Sequence, residues 1–182
     1  DIPLQHASDS MLKSMRRGIT SDKTRALLDT VRNKIPNIAI RTTFISGYPG
    51  ETEQDHVKLI RFLEELRFER VGVFTYSHEE NTHAYTLNDD VDETTKQRRL
   101  DELMQVQQNI SDSINQKKIG KNFRTLFDRK EGNYFIGRTE YDSPEVDNEV
   151  LVDANENYVR VGDFANIKIT SAEAFDLYGT LS

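Results

Sequence analysis

The chain has 182 residues, of which 36% are hydrophobic and 30% charged, with a formal net charge of −7 and no cysteine. The lack of cysteine excludes disulfide bonds, a thiolate nucleophile and an iron–sulfur cluster held by this chain's own thiolates. No apolar run approaches the length of a membrane span, and no segment of signal-peptide type stands at the start. We therefore predict a cytoplasmic protein with no membrane partner.

The first half of the chain alternates predicted helices and strands. Ser8 can cap a short helix, and a second helix begins near Thr20 and stops at Pro36. Strand-forming residues follow in 38–46 and again in 71–77, with an amphipathic helix between them. This alternation predicts an α/β fold with a parallel sheet and right-handed crossovers.

The helix between the two predicted strands has a clear start signal. Thr52 followed by Asp55 has the form of a capping box. We predict that His56 faces solvent and that the inward face of this helix consists of Val57, Ile60, Leu63 and Leu66.

The pattern of residues changes in the second half of the chain. Asp90 with Glu93 predicts a capping box for a long helix that runs to about Ile119, with Lys96 and Arg99 off its apolar stripe. Short β-rich runs separated by turn residues then predict a small antiparallel barrel. These runs are 123–127, 134–138, 150–152 and 167–170.

The strongest local motif runs from Ile40 to Thr52. β-Branched and aromatic residues give way to Gly47, Pro49 and Gly50, which stop the strand and allow a tight turn. In α/β folds, ligands bind at such carboxyl ends of strands. An ordinary strand–helix turn would use the same residues, so the motif alone leaves both interpretations open.

Five segments together resemble the radical S-adenosylmethionine (SAM) methylthiotransferase family. They are residues 1–6, 15–17, 45–52, 74–77 and 136–139, in the order and approximate spacing of that family. Residues 142–147 are similar to the branch that methylthiolates an aspartate of small-subunit ribosomal protein twelve.

The resemblance implies a domain organisation and a set of cofactors. Residues 1–90 would be the C-terminal half of a parallel (β/α) barrel, 91–119 a connecting helix, and 120–182 an OB-like TRAM barrel. The intact enzyme would use SAM and two 4Fe–4S clusters whose ligands lie outside this chain. We expect the chain to be a C-terminal fragment that is inactive alone, with no catalytic residue and no metal ligand of its own.

The resemblance also implies which residues bind SAM. Arg17 and Arg41 are candidates for its carboxylate, because guanidinium groups bind carboxylates bidentately. A salt bridge from Arg41 to a barrel carboxylate such as Glu51 is the alternative. The ribose and adenine sides of the SAM site would be formed by Gln5, Phe44, Ile45, Gly47, Phe74 and Thr75.

The charge of the last third favours a basic partner. Residues 119–182 contain seven basic and twelve acidic side chains, which is −5 of the net −7. Such a surface favours a basic ribosomal protein over tRNA, with Asp142, Glu145 and Asp147 as docking residues. A tRNA methylthiotransferase, a non-catalytic nucleic-acid adaptor, and carboxylates that serve solubility alone remain alternatives.

Overall fold

The computed structural model describes all 182 residues. They divide into two compact units, Asp1–Gln107 and Gln108–Ser182. The domain limits at residues 90 and 119 stay a prediction. No helix combines the length and the apolar character that crossing a membrane would require.

The first unit contains a small parallel sheet with helices. Its two strands pair in parallel from Arg41 opposite Arg70 to Ser46 opposite Thr75. Gln5 adds a parallel bridge to Phe44 on the other side of the first strand. The elements in chain order are α1 (Asp9–Ser14), α2 (Ser21–Lys34), β1 (Arg41–Ser46), α3 (Glu53–Leu66), β2 (Arg70–Thr75), a 3₁₀ turn (Ala84–Thr86) and α4 (Glu93–Gln116), which continues into the second unit.

Helix α3 begins as predicted but turns a different face inward. Both bonds of the Thr52–Asp55 capping box are present. His56 is fully buried and Val57 is 37% exposed, so these two predictions were wrong, whereas Leu63 and Leu66 are buried as predicted. Polar residues can lie on the inward face here because they have partners there. The buried residues are Asp55, His56, Leu59, Phe62, Leu63 and Leu66.

Helix α4 differs from its prediction at its start and along its inner face. Asp92 caps it, because the Thr95 N–H donates to Asp92 Oδ1 at 2.9 Å. Asp90 instead accepts the Gly50 N–H at 2.7 Å. Lys96 and Arg99, predicted to lie off the buried stripe, are 1% and 4% exposed. Both cations lie inward, and both have carboxylate partners.

The second unit contains the predicted barrel, which is confirmed as closed. Strand order around it is β3–β4–β5–β7–β6, with β6 paired back to β3. Every pair is antiparallel except β5–β7. The sequence prediction missed the fifth strand. The strands are β3 (Asn122–Glu131), β4 (Tyr134–Thr139), β5 (Glu149–Asp153), β6 (Phe164–Ala172) and β7 (Asp176–Leu181).

The barrel has its own apolar core and anchors the end of α4. The core comprises alternate strand residues such as Phe127, Val150 and Ile167, each at most 1% exposed. The Ser111 hydroxyl donates to the Ala174 carbonyl at 2.5 Å, and the Asn115 amide donates to the same carbonyl at 3.1 Å. The last turns of α4 therefore belong structurally to the barrel unit.

Candidate functional site

The candidate site lies at the carboxyl ends of three parallel segments, namely the chain start, β1 and β2. The Gln5 N–H donates to the Thr43 carbonyl at 2.8 Å, and the Ile45 N–H donates to the Gln5 carbonyl at 2.9 Å. At the other edge, the Tyr76 N–H donates to the Ser46 carbonyl at 2.8 Å. These bonds hold the three ends side by side, which is where α/β sheets bind ligands.

The three ends open onto a cavity of about 430 Å³. Ile45 and Phe74 are neighbours across the sheet, and Phe74 is 61% exposed. The rings of Tyr48 and Tyr76 pack edge to face at 5.3 Å between their centroids. The cavity is lined by Gln5, Thr43, Ile45, Tyr48, Phe74, Thr75, Tyr76, Ser77, Glu79, Thr82 and Ala84.

Half of the residues predicted to bind SAM share this cavity. Gln5, Ile45, Phe74 and Thr75 line it. Phe44 does not, because neighbouring strand residues point to opposite faces. Its ring is fully buried on the other face of the sheet, with its centroid 6.3 Å from that of Phe62. A role in SAM binding stays a prediction for all of them.

The two predicted carboxylate-binding arginines lie outside the cavity lining. Arg17 donates from Nη2 to the Pro3 carbonyl at 2.6 Å. Arg41 stands at the start of β1, and its Nη1 lies 3.7 Å from Asp1 Oδ2. Their binding of a SAM carboxylate likewise stays a prediction.

Gly47 belongs to a turn that is held by a buried ion network. Its φ is +74°, and its N–H donates to Glu51 Oε2. The Glu51 side chain, which is 0% exposed, also faces Arg99 Nη1 at 3.4 Å and His6 Nε2 at 3.5 Å. His6 Nδ1 accepts the Ser8 N–H, so the ring proton lies on Nε2, towards Glu51. Glu51 is thus paired with Arg99 and His6.

Lys96 packs against the same turn and is held as a cation. Its Nζ donates to Asp89 Oδ2 at 2.8 Å and to Glu93 Oε1 at 2.7 Å, and it lies 5.4 Å from the centre of the Tyr76 ring. Burial lowers the pKa of the Lys96 ammonium, but the hydrogen bonds to Asp89 and Glu93 outweigh burial and leave the pKa raised. Lys96 therefore supplies positive charge and packing rather than a free amine.

Asp55 ties α1 to the start of α3. Its carboxylate accepts the Ser8 hydroxyl, the Ser10 hydroxyl at 3.0 Å and the Thr52 hydroxyl at 2.6 Å. Burial raises the pKa of the Asp55 carboxyl, but the hydrogen bonds from Ser8, Thr52 and Ser10 outweigh it and hold the pKa well below its ordinary value. The Ser8 hydroxyl therefore donates to Asp55 and makes no capping hydrogen bond to α1, contrary to the prediction.

The lowered pKa of Asp55 makes the stability of this chain sensitive to acid. A carboxylate with a lowered folded-state pKa stabilises the fold above its unfolded pKa, about 3.9, and this contribution is lost as the pH falls. We expect urea unfolding to show a larger loss of stability between about pH 5 and pH 2 for the wild type than for Asp55→Asn. Asp29→Asn, on the exposed side of α2, is the matched control. Identical pH profiles for the wild type and Asp55→Asn would contradict the assignment.

Three potential metal ligands meet between the first turn of α3 and the third turn of α4. Ligand atoms of Glu53, His56 and Glu102 lie within 4.8 Å of one another. Arg98 pairs with both carboxylates, at 2.8 Å to Glu53 and 2.7 Å to Glu102, and Arg99 also faces Glu53. The arginines balance the carboxylates, so the group is an ion-pair network around the buried His56.

The predicted docking residues have different surroundings. The Thr139 hydroxyl donates to Asp142 Oδ2 at 2.5 Å, and Asp142 is buried. The Ser143 N–H donates to Asp147 Oδ2 at 2.7 Å. Glu145 is exposed. Two of the three carboxylates thus hold the loop between β4 and β5, and docking by them stays a prediction.

Known proteins match this chain in two ways. Residues 119–181 match the TRAM domain family. The chain is 60% identical over 179 residues to the ribosomal protein uS12 methylthiotransferase RimO of Christiangramia forsetii. It is 58% identical over 181 residues to the RimO of Cytophaga hutchinsonii, and 59% identical over 179 residues to that of Flavobacterium johnsoniae. These alignments cover 98%, 100% and 98% of the chain.

By sequence, the chain is similar along its whole length to the proteins named ribosomal protein uS12 methylthiotransferase RimO. The closed barrel of the second unit is its TRAM domain. The chain spans only 40%, 41% and 41% of the length of the three relatives.

Sequence reasoning missed several residues that shape the candidate site. Tyr48 and Tyr76 line the cavity, and Arg99, His6 and Lys96 position the turn beside it. Tyr48 and Tyr76 lie within the family-like segments 45–52 and 74–77, so their positions could have been predicted from the sequence. Arg99 and Lys96 gave no local signal, because they come from a helix far along the chain.

Proposed function

We propose that this chain is part of a cytoplasmic radical-SAM methylthiotransferase that adds a methylthio group to the β-carbon of an aspartate in ribosomal protein uS12. The observation that carries the proposal is 60% identity, over 98% of the chain, to a relative named for action on uS12. Residues 1–90 would complete part of a (β/α) barrel, 91–119 would connect, and 120–182 would bind the partner protein.

The cavity at the ends of β1 and β2 fits the adenosine side of SAM. Its volume of about 430 Å³ lies within the range of small-molecule sites, about 300–1,000 Å³. Ile45 and Phe74 offer apolar contact to a planar base, and Gln5 offers an amide for hydroxyl groups. When bound, SAM would supply the radical that removes the substrate hydrogen.

The remaining predicted residues would act around this cavity. Phe44 anchors β1 from the opposite face, and Gly47 gives the turn that places Tyr48 at the cavity wall. Arg17 and Arg41 would bind the SAM carboxylate from outside the cavity lining. The chain has no cysteine, so it offers no thiolate to either 4Fe–4S cluster.

The TRAM barrel would dock the basic ribosomal protein. Its excess of carboxylates, −5 over residues 119–182, attracts a cationic surface and disfavours the phosphates of RNA. The docking role predicted for Asp142, Glu145 and Asp147 belongs to this proposal.

A nucleic-acid partner is favoured by one specific feature of the barrel. The Arg124 guanidinium lies 4.2 Å from the centre of the exposed Phe164 ring, and Lys168 follows on the same strand as Phe164. Cations beside an exposed aromatic ring suit stacked bases and phosphates. A tRNA methylthiotransferase or a nucleic-acid adaptor is therefore the second candidate.

The test is to give the intact protein reduced clusters, SAM and either uS12 or tRNA. We expect mass spectrometry to find a methylthio group on an aspartate of uS12 and none on tRNA. Modification of tRNA alone would establish the second candidate instead, and binding of RNA without modification of either substrate would favour an adaptor.

Calorimetry of SAM binding tests the cavity through Phe74. Removing an aromatic ring that stacks on a base costs about 1–3 kcal/mol, so Phe74→Ala should weaken SAM binding by the intact protein about tenfold. Phe175→Ala is the control, because Phe175 is also an exposed phenylalanine, at 49%, but lies in the barrel unit. Equal SAM affinity in calorimetry for both variants would remove the cavity from the proposal.

A further inference from the structure

A notch on the barrel surface lies between β3, β4 and the loop that precedes β5. Its volume is about 330 Å³, at the lower end of the range for binding pockets, about 300–1,000 Å³. This size suits one long side chain and an adjoining peptide group. We call this feature the barrel notch and define it by Asp128, Arg129, Arg138, Glu145, Asn148 and Glu149.

Four of the charged groups of the barrel notch are already paired with each other. Arg129 makes a bidentate contact with Glu149, at 2.8 and 3.1 Å. Arg138 donates from Nε to Asp128 Oδ2 at 3.3 Å. The positive and negative charges cancel within each pair. The four side chains therefore form the walls of the notch and do not serve as its ligand-binding groups.

Two groups of the barrel notch are not used within the chain. Glu145 is exposed. Asn148 is 2% exposed, and its side-chain Nδ2 is buried without a hydrogen-bond partner. A buried donor without an acceptor costs about 1–3 kcal/mol, so a native chain rarely leaves one unless something else satisfies it. The notch therefore offers one exposed carboxylate, and its wall holds one buried amide donor without an acceptor.

The loop that carries these groups is fixed from its inner side. Asp142 and Asp147 accept hydrogen bonds from Thr139 and Ser143, as described above. Glu145 and Asn148 both line the notch on this fixed loop, in place before any partner arrives. A preformed site loses less entropy on binding than a loop that must order itself.

We propose that the barrel notch binds an arginine or lysine side chain of a basic protein segment together with that segment's main-chain carbonyl. Glu145 pairs with the cation, and Asn148 Nδ2 donates to the carbonyl. The inference rests on the proposed function, since uS12 is the partner it would select, and it narrows the docking surface to these two residues.

Other ligand classes fit the barrel notch less well. An anion would need free cations, and the Arg129 and Arg138 side chains already donate to Glu149 and Asp128. A divalent cation would need several oxygen ligands, and Glu145 alone has an open carboxylate. A cation joined to a hydrogen-bond acceptor satisfies both open groups, and every basic residue of an extended peptide has this form.

The experiment compares binding of purified uS12 to the intact protein and three variants by calorimetry at low and high salt. Glu145→Gln should weaken binding about tenfold at low salt, with a smaller loss at high salt, because the contact is between exposed charges. Asn148→Leu should weaken binding about tenfold at both salt concentrations. Glu156→Gln makes the same charge change at an exposed residue outside the notch and should bind like the wild type.

Stability separates recognition from a structural role of Asn148. Replacing an unpartnered buried amide by leucine of similar size should leave the thermal unfolding temperature unchanged or higher. If Glu145→Gln and Asn148→Leu bind uS12 as tightly as the wild type does, and the wild type binds and modifies uS12, the notch proposal is wrong. The proposed function would then stand. A wild-type protein that neither binds nor modifies uS12 would overturn both the notch and the proposed function.

Discussion

Replacing Arg99 by methionine is expected to cost about 3–5 kcal/mol of unfolding free energy, the range for breaking a buried ion pair. The side chains of Arg99 and Glu51 are 5% and 0% exposed, and Arg99 Nη1 also donates to the Glu51 main-chain carbonyl at 2.9 Å. Methionine keeps much of the volume but leaves the Glu51 carboxylate buried without its cation. Urea unfolding followed by circular dichroism measures the loss.

The neighbouring arginine is the matched control. Arg98 makes ion pairs with Glu53 and Glu102, but its side chain is 44% exposed. Arg98→Met should therefore cost about 1 kcal/mol or less. Adding Glu51→Gln to Arg99→Met should restore part of the loss, because it removes the uncompensated charge. Equal losses for Arg98→Met and Arg99→Met would show that the network does not hold the turn.

Replacing Gly47 by alanine is expected to cost about 2–5 kcal/mol, from about 1–2 for left-handed backbone and about 1–3 for overpacking. The φ of Gly47 is +74°, and an added Cβ would collide with the Lys96 side chain, whose Cβ and Cδ lie 3.0 Å away. Lys96 cannot move aside cheaply, since Asp89 and Glu93 hold its ammonium group. The same urea unfolding measures the effect.

The substitution Gly50→Ala, in the same turn, separates the cost of backbone strain from the cost of the collision with Lys96. The φ of Gly50 is +80°, and no atom lies within 4 Å of an added Cβ. Gly50→Ala should therefore cost only the backbone term, about 1–2 kcal/mol. Lys96→Ala added to Gly47→Ala should remove the collision and bring the combined loss below the sum of the single losses. Equal losses for Gly47→Ala and Gly50→Ala would show that Lys96 does not pack on the turn.

The sequence by itself determined the features that depend on short segments. Thr52 and Asp55 form the predicted capping box, and Thr20 caps α2 through its side chain. The barrel followed from short β-rich runs, although its last strand was missed. The resemblance placed Gln5, Ile45, Phe74 and Thr75 at one site, and they line one cavity. In all of these cases the signal lies within a few consecutive residues.

Only the tertiary structure decided where the charged and polar side chains went. Arg99 and Glu51 are 48 residues apart, and no periodicity indicates that they meet. His56 and Lys96 read as surface residues, yet both are buried, because Glu102 and Asp89 supply their partners. A polar residue can be buried only where a distant chain segment brings its counterpart, and hydrophobic patterning carries no information about that counterpart.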